Sequence, residues 1–252
     1  FVYHSKYGYI PTNIKLDENE LDDFILSTAQ KDGKEISFSN PYVDATLYDG
    51  SRIHATYKNE ITSHGSTFTI RKIRRNPITP EQLIAWNSFS ADEFSFLWLC
   101  LKAKLNILFA GDTASGKTTA LNALALMIDP YSKIISIEDT REIVLPHKNW
   151  TPYTTGKMEM FELVRNSLRQ RPDYIIVGEI RGREAYALFQ AMGIGHATLS
   201  TFHAKSAKAV IERFKNNPFN IPGSLLSFLD IIVILAKAGE SKRKCAEIWY
   251  LE

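Results

Sequence analysis

The fold of this chain is most constrained by an alternation of short apolar runs with helical stretches after residue 105. Four runs have the length and side chains typical of buried strands: NILFA (106–110), KIISI (133–137), YIIV (174–177) and ATLST (197–201). Segments with a helical period separate them, and strands that are joined through helices pair in parallel. The sequence therefore predicts an α/β fold with a mostly parallel sheet and helices on its faces.

The first 75 residues show a separate pattern, which predicts a small α/β domain. LDENELDDFILSTAQKDG has a helical period and ends at a glycine. Two alternating runs flank Asp49-Gly50, which is the signature of a hairpin, and TFTIRKI predicts a further strand. RRNPITP carries two prolines and no periodicity, as a linker does. We expect an N-terminal α/β domain over residues 1–75, a linker over 76–81 and a larger domain over 82–252.

A glycine-rich segment, GDTASGKT (111–118), follows the first apolar run and precedes a helical stretch. It fits G-x-x-x-x-G-K-[ST], a loop whose backbone N–H groups and following helix N-terminus bind phosphate groups. In this pattern Lys117 reaches the β- and γ-phosphates and the Thr118 hydroxyl binds Mg²⁺, so ATP and Mg²⁺ are the expected ligands. The predicted nucleotide-binding residues are Gly111, Asp112, Thr113, Ala114, Ser115, Gly116, Lys117, Thr118 and Thr119.

Acidic residues follow two of the predicted strands, at the end where parallel sheets bind ligands. Glu179 comes just after YIIV, and Gly178 precedes it where an aspartate normally holds the magnesium shell. Glu138 and Asp139 follow KIISI, and one of them could replace that aspartate by ordering water around Mg²⁺. Glu179 is our first choice for activating the attacking water, with Glu138 in support, both acting on the metal through water. A surface glutamate that caps the next helix and ordinary loop acids are the alternatives.

Two histidines flank the fourth apolar run, in the stretch GHATLSTFHA. If this strand is inserted between the phosphate-loop strand and the Glu179 strand, His203 lies just past its carboxyl end. It is then placed to donate a hydrogen bond to the γ-phosphate or to the attacking water. His196 lies at the entrance of the strand, more than ~15 Å away by strand rise, which argues against a shared zinc site. For His196, a structural role and a functional role remain equally open.

Composition argues against several classes of function. A net charge of +2 in 252 residues does not favour nucleic acid or acidic lipid as a partner. No window reaches the ~18 uninterrupted apolar residues of a membrane span, and DIIVILAKAG (230–239) has the length of a strand. Cys100 and Cys245 are too few for a disulfide framework or a four-cysteine zinc site, which suits a reducing cytosol. The chain begins with Phe1 rather than Met, so we expect a piece of a longer protein.

Four motifs occur in the order seen in the type II/type IV secretion ATPases: GDTASGKTT, SIEDTRE, LVRNSLRQRPDYIIVGEIRGREA and GIGHATLSTFHA. Over nearly its whole length the chain resembles this family, which includes the motors of type IV pili, type II secretion systems and the archaellum. YGYIPTN and DGSRIHATY…SHGSTFTIRKI are most similar to the N-terminal domain of archaeal members. The resemblance implies a RecA-like P-loop motor domain with a parallel sheet, preceded by a small α/β N-terminal domain.

The resemblance also implies partners and a mechanism. It implies a homo-oligomer, a hexameric ring, that binds ATP between the N-terminal and motor domains and works with an integral membrane platform protein. Such a ring is cytoplasmic and peripheral at the inner face of the cell membrane, with no membrane span and no nucleic acid partner. Arginines of the family's N-terminal domain reach the nucleotide phosphates; the matching residues are Arg52 and Arg71, although exposed strand arginines fit the same pattern. In the family, GE without a preceding aspartate is normal, so Gly178 is no defect.

Some features depart from the family or leave alternatives open. Bacterial type II secretion members carry a four-cysteine zinc element, for which this chain lacks the cysteines. Arg165 and Arg169 lie four residues apart and resemble the family's arginine-rich segment, but a solvated helix face fits equally well. SKRK (241–244) suits a solvated hairpin tip better than contact with acidic lipid. The alternatives to a filament-assembly or secretion motor are a RecA-like DNA-translocating ATPase and a nucleotide-gated, non-hydrolysing scaffold.

Overall fold

The computed structural model describes residues 1–4, 7–73, 76–156, 158–239 and 242–251, and the chain divides into two compact units, residues 1–73 and 74–252. The helices and strands of the first unit are β1 (Val2–His4), β2 (Gly8–Ile10), α1 (Glu18–Lys31), β3 (Tyr42–Thr46), β4 (Arg52–Thr56), a 3₁₀ turn (Lys58–Glu60) and β5 (Thr67–Arg71). Those of the second unit are α2 (Pro80–Ala85), α3 (Ala91–Lys102), β6 (Ile107–Gly111), α4 (Lys117–Ala125), β7 (Ile134–Glu138), β8 (Trp150–Thr154), α5 (Met160–Leu168), β9 (Tyr174–Ile180), α6 (Glu184–Gly193), β10 (Ala197–Phe202), α7 (Ala207–Lys215), α8 (Gly223–Leu226), β11 (Ile231–Ala238) and β12 (Lys242–Tyr250).

In the first unit, one helix packs against a three-stranded antiparallel sheet of order β3-β4-β5. Helix α1 begins with a capping box: the Asp17 carboxylate accepts from the N–H of Glu20 at 2.8 Å, and the Glu20 carboxylate accepts from the N–H of Asp17 at 3.0 Å. The predicted hairpin joins β3 to β4, and its Gly50 has a φ of +85° that glycine adopts without strain. Alternate strand residues such as Ile53 share one core with Ile25 of α1. Strands β1 and β2 form a separate antiparallel pair.

The second unit is built on one sheet, in which the described strands have the order β12-β11-β6-β10-β9-β7-β8. Neighbouring strands are parallel except for β11 and β12. The predicted α/β class with a mostly parallel sheet is therefore confirmed. The inserted position of β10, between β6 and β9, is confirmed as well, and this position places the chain after β10 beside the loop after β6.

Side chains from the two faces of this sheet fill two hydrophobic cores. On β6, Leu108 and Ala110 belong to one core, together with residues of α5, α6 and α7. The alternate residues Ile107 and Phe109 belong to the other core, with residues of α3 and α4. Because the central strands are buried on both faces, their sequences are nearly continuous apolar runs. The polar residues that follow these strands therefore lie at the edge of the sheet, past the strand ends.

Asn106 forms hydrogen bonds that align the amino ends of three adjacent strands. Its backbone N–H and its side-chain amide both donate to the Asp230 carboxylate, at 2.7 and 3.1 Å, just before β11. Its side-chain carbonyl accepts from the backbone N–H and the hydroxyl of Thr198 on β10, at 3.1 and 3.0 Å. These bonds align the amino ends of β6, β10 and β11, and since β6 and β10 have five and six residues, their carboxyl ends lie at similar heights.

Two helices of this unit begin at capping boxes, with the spacings T-x-x-Q and S-x-x-E in the sequence. The Ser90 hydroxyl accepts from the N–H of Glu93 at 3.1 Å, and the Glu93 carboxylate accepts from the N–H of Ser90 at 2.7 Å, at the start of α3. Thr79 caps α2 in the same way. Because proline suits the first helical turn, α2 begins at Pro80, inside the segment 76–81 that we expected to be a linker. Within the described ranges, no helix has the length and hydropathy needed to cross a bilayer.

Candidate active site

The loop between β6 and α4 has the shape of a phosphate cradle. Gly116, at the start of α4, has a φ of +94°, and Ala114 has a φ of +59°. A β-carbon on Gly111 would collide with the carbonyl oxygen of Leu235 on β11, so a larger residue does not fit there. The Ser115 hydroxyl is buried and has no hydrogen-bond partner in the described part of the chain. These features fit a loop whose N–H groups hold an anionic ligand at a helix N-terminus.

Lys117 folds back onto its own loop. Its Nζ donates to the carbonyl oxygens of Gly111 at 3.1 Å and Asp112 at 2.9 Å, and it lies 3.3 Å from Nδ1 of His203. The side chain is buried, and this burial lowers the pKa of Lys117, although the charge of Glu179 acts in the opposite direction. All three ammonium protons have partners, so a phosphate group would replace one or more of these contacts.

His203 joins the phosphate loop to Glu179. Its Nε2 lies 2.7 Å from Oε1 of Glu179, while its Nδ1 faces Lys117. Because an ammonium group only donates, Nδ1 must accept, and the ring proton is on Nε2, which donates to the carboxylate. The contacts therefore assign the neutral Nε2–H tautomer to His203.

Arg181, which the sequence analysis did not single out, extends these contacts to two further strands. Its guanidinium lies 2.6 Å from Oε2 of Glu179 and 3.2 Å from Oδ2 of Asp139, and Thr155 donates to Asp139 at 3.1 Å. The hydrogen bond to Glu179 raises the pKa of Arg181. A sequence signal was available, because Arg181 stands two residues after Glu179 and strand side chains repeat with a period of two. Both oxygens of Glu179 are thus bound, one by His203 and one by Arg181.

These contacts run along the carboxyl edge of five adjacent strands, from β8 to β6. In order, the residues are Thr155, Asp139, Arg181, Glu179, His203 and Lys117. A cavity of about 550 Å³ opens beside Glu179, and Phe161 and Arg183 line it together with Arg181 and Asp139. Because parallel sheets bind their ligands at this edge, the cluster marks the candidate active site.

Glu138 has an environment unlike that of a residue that orders metal-bound water. It is 3% exposed, and its Oε1 accepts from the backbone N–H groups of Glu142 at 2.9 Å and Ile143 at 3.0 Å. Burial raises the pKa of Glu138 to about 7, and these two N–H groups partly oppose the rise. These contacts suggest that Glu138 anchors the loop after β7. They favour this structural role over the ordering of water around Mg²⁺ that we expected from the sequence.

The two histidines of the fourth apolar run have separate environments. His196 precedes β10 and His203 follows it, so the whole strand lies between them. Nδ1 of His196 lies 3.0 Å from the carbonyl oxygen of Pro172, a contact that suits a structural role. Among the residues that the structure describes, no three His, Cys, Asp or Glu side chains are grouped so as to hold a metal ion.

The two N-terminal arginines are brought together on one strand pair. Arg52 on β4 and Arg71 on β5 are direct cross-strand partners, and both are exposed. The Asp44 carboxylate on β3 lies 3.4 Å from the Arg52 guanidinium. Two adjacent guanidinium groups can form several hydrogen bonds with one anion, which fits the phosphate contact expected of them.

The remaining basic residues named in the sequence analysis lie in two places, helix α5 and strand β12. Arg165 lies in α5, with its guanidinium 5.6 Å from the ring of Phe161, and Arg169 is the C-cap residue of α5. In the SKRK segment, Arg243 lies on β12 and its Nε donates to the carbonyl oxygen of Ala114 at 2.9 Å. Arg243 is exposed, as expected of a solvated hairpin, and it also contacts the phosphate loop; Ser241 lies outside the described residues.

The strand order and the phosphate loop after β6 define a RecA-like P-loop fold. Residues 35–240 match the model of the family described as "Type II/IV secretion system protein". The chain belongs to this type II/IV secretion family.

Individual relatives and one solved structure resemble this chain over most of its length. The uncharacterized protein MJ0900 of Methanocaldococcus jannaschii is 46% identical over 91% of this chain, which spans only 42% of that relative's length. The type IV secretion system protein PtlH of Bordetella pertussis is 32% identical over 89% of this chain and 79% of its own. The crystal structure of the VirB11 ATPase from the Brucella suis type IV secretion system, in complex with sulphate, has a TM-score of 0.59 at 28% identity and covers 93% of this chain and 81% of that one.

Proposed function

We propose that this chain hydrolyses ATP in an Mg²⁺-dependent reaction, as a subunit of a ring-forming motor. The observation that carries the proposal is the contact of His203 with both Lys117 and Glu179. This contact brings an ammonium group, an imidazole and a carboxylate into one cluster. Groups of these three kinds promote attack of water on a γ-phosphate, because the reaction is accelerated mainly by positioning and by charge stabilisation.

The phosphate loop binds the nucleotide. N–H groups of the loop and of the first turn of α4 hold the phosphate oxygens, and Lys117 neutralises the β- and γ-phosphates. Thr118 would supply its hydroxyl to Mg²⁺, and Glu179 would contact the ion through water. When bound, Mg²⁺ neutralises charge on the phosphate oxygens.

Glu179 positions the attacking water and accepts its proton. Its two oxygens are bound by His203 and Arg181, so the carboxylate accepts a proton from water more readily when one of these donors finds another partner. The γ-phosphate is such a partner for His203, whose Nε2–H then donates to a phosphate oxygen instead of Glu179. Binding of ATP and release of Glu179 are coupled in this way, and hydrolysis of the γ-phosphate reverses both.

The cellular role that we propose is to power the assembly of a surface filament, of the type IV pilus or archaellum kind, or protein secretion. Family membership and the relatives named as type IV secretion proteins support it. Hydrolysis drives domain movement in a hexameric ring, and an integral membrane platform protein at the inner face of the cell membrane receives the movement. In this proposal Arg52 and Arg71 contact the nucleotide phosphates.

The test is the ATPase rate per monomer, measured against protein concentration with and without Mg²⁺. Glu179→Gln is the control, because it keeps the size of the side chain and removes the base. A rate that rises with concentration, needs Mg²⁺ and is lost in the variant supports the proposal. A rate that is constant with concentration contradicts the ring, and tight ATP binding without turnover contradicts hydrolysis in favour of a nucleotide-gated scaffold.

A further inference from the structure

The C-terminal hairpin of strands β11 and β12 contacts the phosphate loop at two places. The carbonyl oxygen of Leu235 on β11 fills the space beside Gly111, where the loop begins. Arg243 on β12 donates from its Nε to the carbonyl oxygen of Ala114, at 2.9 Å, near the tip of the loop. A β-carbon on Gly116 would lie 3.3 Å from Cδ of Arg243, so the arginine side chain lies directly against the loop.

Arg243 binds the carbonyl group of Ala114, the non-glycine residue of the loop with a positive φ. Ala114 has a φ of +59°, in the left-handed region, where the β-carbon of an alanine crowds its own backbone. A hydrogen bond to its carbonyl oxygen offsets that cost, and a charged donor makes the bond stronger. Because the peptide unit is planar, the bond also fixes the direction of the Ser115 N–H, which donates to the Asp112 carbonyl at 3.2 Å inside the loop.

We propose that Arg243 is a positioning residue that holds the tip of the phosphate loop in its nucleotide-accepting conformation. The proposal rests on the proposed nucleotide function. Arg243 acts through the loop backbone, so its loss weakens nucleotide affinity more than it slows turnover at saturating ATP. Its neighbour Lys244 carries the same charge but extends from the opposite face of β12, by the two-residue period of a strand. Lys244 is therefore the matched control for a general effect of positive charge.

The first experiment compares the affinities of the wild type, Arg243→Gln, Arg243→Lys and Lys244→Gln for MgADP and MgATP by titration calorimetry. Circular dichroism and thermal unfolding confirm that each variant is folded. We expect Arg243→Gln to weaken binding about tenfold, the effect of one charge-assisted hydrogen bond, and Lys244→Gln to change it less than twofold. Arg243→Lys keeps a donor on a flexible stem and recovers part of the loss. In ATPase assays, Arg243→Gln raises KM and leaves kcat within threefold.

Several outcomes would overturn the inference. If Arg243→Gln binds nucleotide as tightly as the wild type, Arg243 has no positioning role. If Arg243→Gln and Lys244→Gln lose the same affinity, general electrostatic attraction explains the effect and the positioning role is excluded. If the wild type binds no nucleotide, the proposed function fails and this inference fails with it. Wild-type binding that is unchanged in Arg243→Gln overturns the inference alone, so the two failures are distinguishable.

A second experiment separates positioning from direct contact with the ligand. Glycine adopts the left-handed region without steric cost, so in an Ala114→Gly background the loop needs less support from Arg243. We expect the loss of affinity caused by Arg243→Gln to be at least threefold smaller in that background than in the wild type. The same loss in both backgrounds would mean that Arg243 contacts the nucleotide itself, and would overturn the positioning role.

Discussion

A β-carbon on Gly178 would lie 2.9 Å from Cγ of Glu138, because the two residues directly follow the paired residues Val177 and Ile137 on the neighbouring strands β9 and β7. The buried Glu138 side chain occupies the space into which an aspartate at position 178 would extend. Glycine before Glu179 is therefore required by the packing of this edge of the sheet. The absence of the aspartate that usually precedes the glutamate has a steric cause in this chain.

We expect Gly178→Ala to lower the free energy of unfolding by about 1–3 kcal/mol, because the added methyl group forces Glu138 or the strand to move. Chemical denaturation of the variant and the wild type measures this change. Gly156→Ala is the matched control, since a β-carbon there meets nothing within 4 Å, and its effect should stay below about 0.5 kcal/mol. If both variants lose the same stability, the clash with Glu138 is not the cause.

Replacing Glu138 by glutamine should change how stability depends on pH. The folded state raises the pKa of Glu138 from its ordinary value of 4.5 to about 7, because the group is buried. Between these two values the folded chain keeps a proton that the unfolded chain releases, so wild-type stability falls as pH rises through this interval and is constant above it. Glutamine does not titrate and can still accept from the N–H groups of Glu142 and Ile143.

Urea denaturation at pH 5 and pH 8 tests this expectation. From pH 5 to pH 8 the stability of Glu138→Gln should increase, relative to the wild type, by about 2–3 kcal/mol, at 1.36 kcal/mol per unit of pKa difference. The other titrating groups are the same in both chains, so their contributions to the pH dependence of stability cancel in the comparison. A difference between the chains that does not vary with pH would refute the assignment of a raised pKa to Glu138.

The two histidines should respond in opposite ways to replacement by alanine. His203→Ala removes the donor beside Glu179 and should slow ATP turnover by about 100-fold, with nucleotide affinity changed less than tenfold. His196→Ala removes a hydrogen bond to the Pro172 carbonyl and should cost about 1 kcal/mol of stability without slowing turnover. Turnover assays and thermal unfolding of both variants separate the two roles. Equal turnover in the two variants would exclude a role of His203 in the reaction.

Arg52 and Arg71, which face each other across β4 and β5, should be needed for turnover and not for folding. We expect Arg52→Gln and Arg71→Gln each to slow ATP turnover at least about tenfold, because each removes a guanidinium group from the phosphates, while both are exposed and contribute little to stability. Lys72→Gln, which removes the same charge one residue further along, is the control. Turnover that falls equally in Lys72→Gln would point to net charge instead.

Most of the fold was predictable because its signals are local. The apolar runs, the Asp49-Gly50 hairpin and the capping box at Ser90 depend on residues within a few positions of one another, as helix and strand periods do. The position of Glu179 and His203 at the edge of the sheet was predictable for a related reason. Each follows a predicted strand, and parallel strands bring their carboxyl ends to one edge. The burial of Glu138 was not predictable, because it depends on the loop that folds over the end of β7.

The sequence by itself determined the phosphate loop, the parallel sheet and the acid and histidine at its carboxyl edge, because adjacent residues carry each of these patterns. Only the tertiary structure decided which partners these residues have. It joined His203 to both Lys117 and Glu179, and it placed Arg243 on the carbonyl of Ala114, 129 residues away along the chain. Contacts of this kind depend on strand order and register, which arise from packing of the whole sheet and leave no local pattern in the sequence.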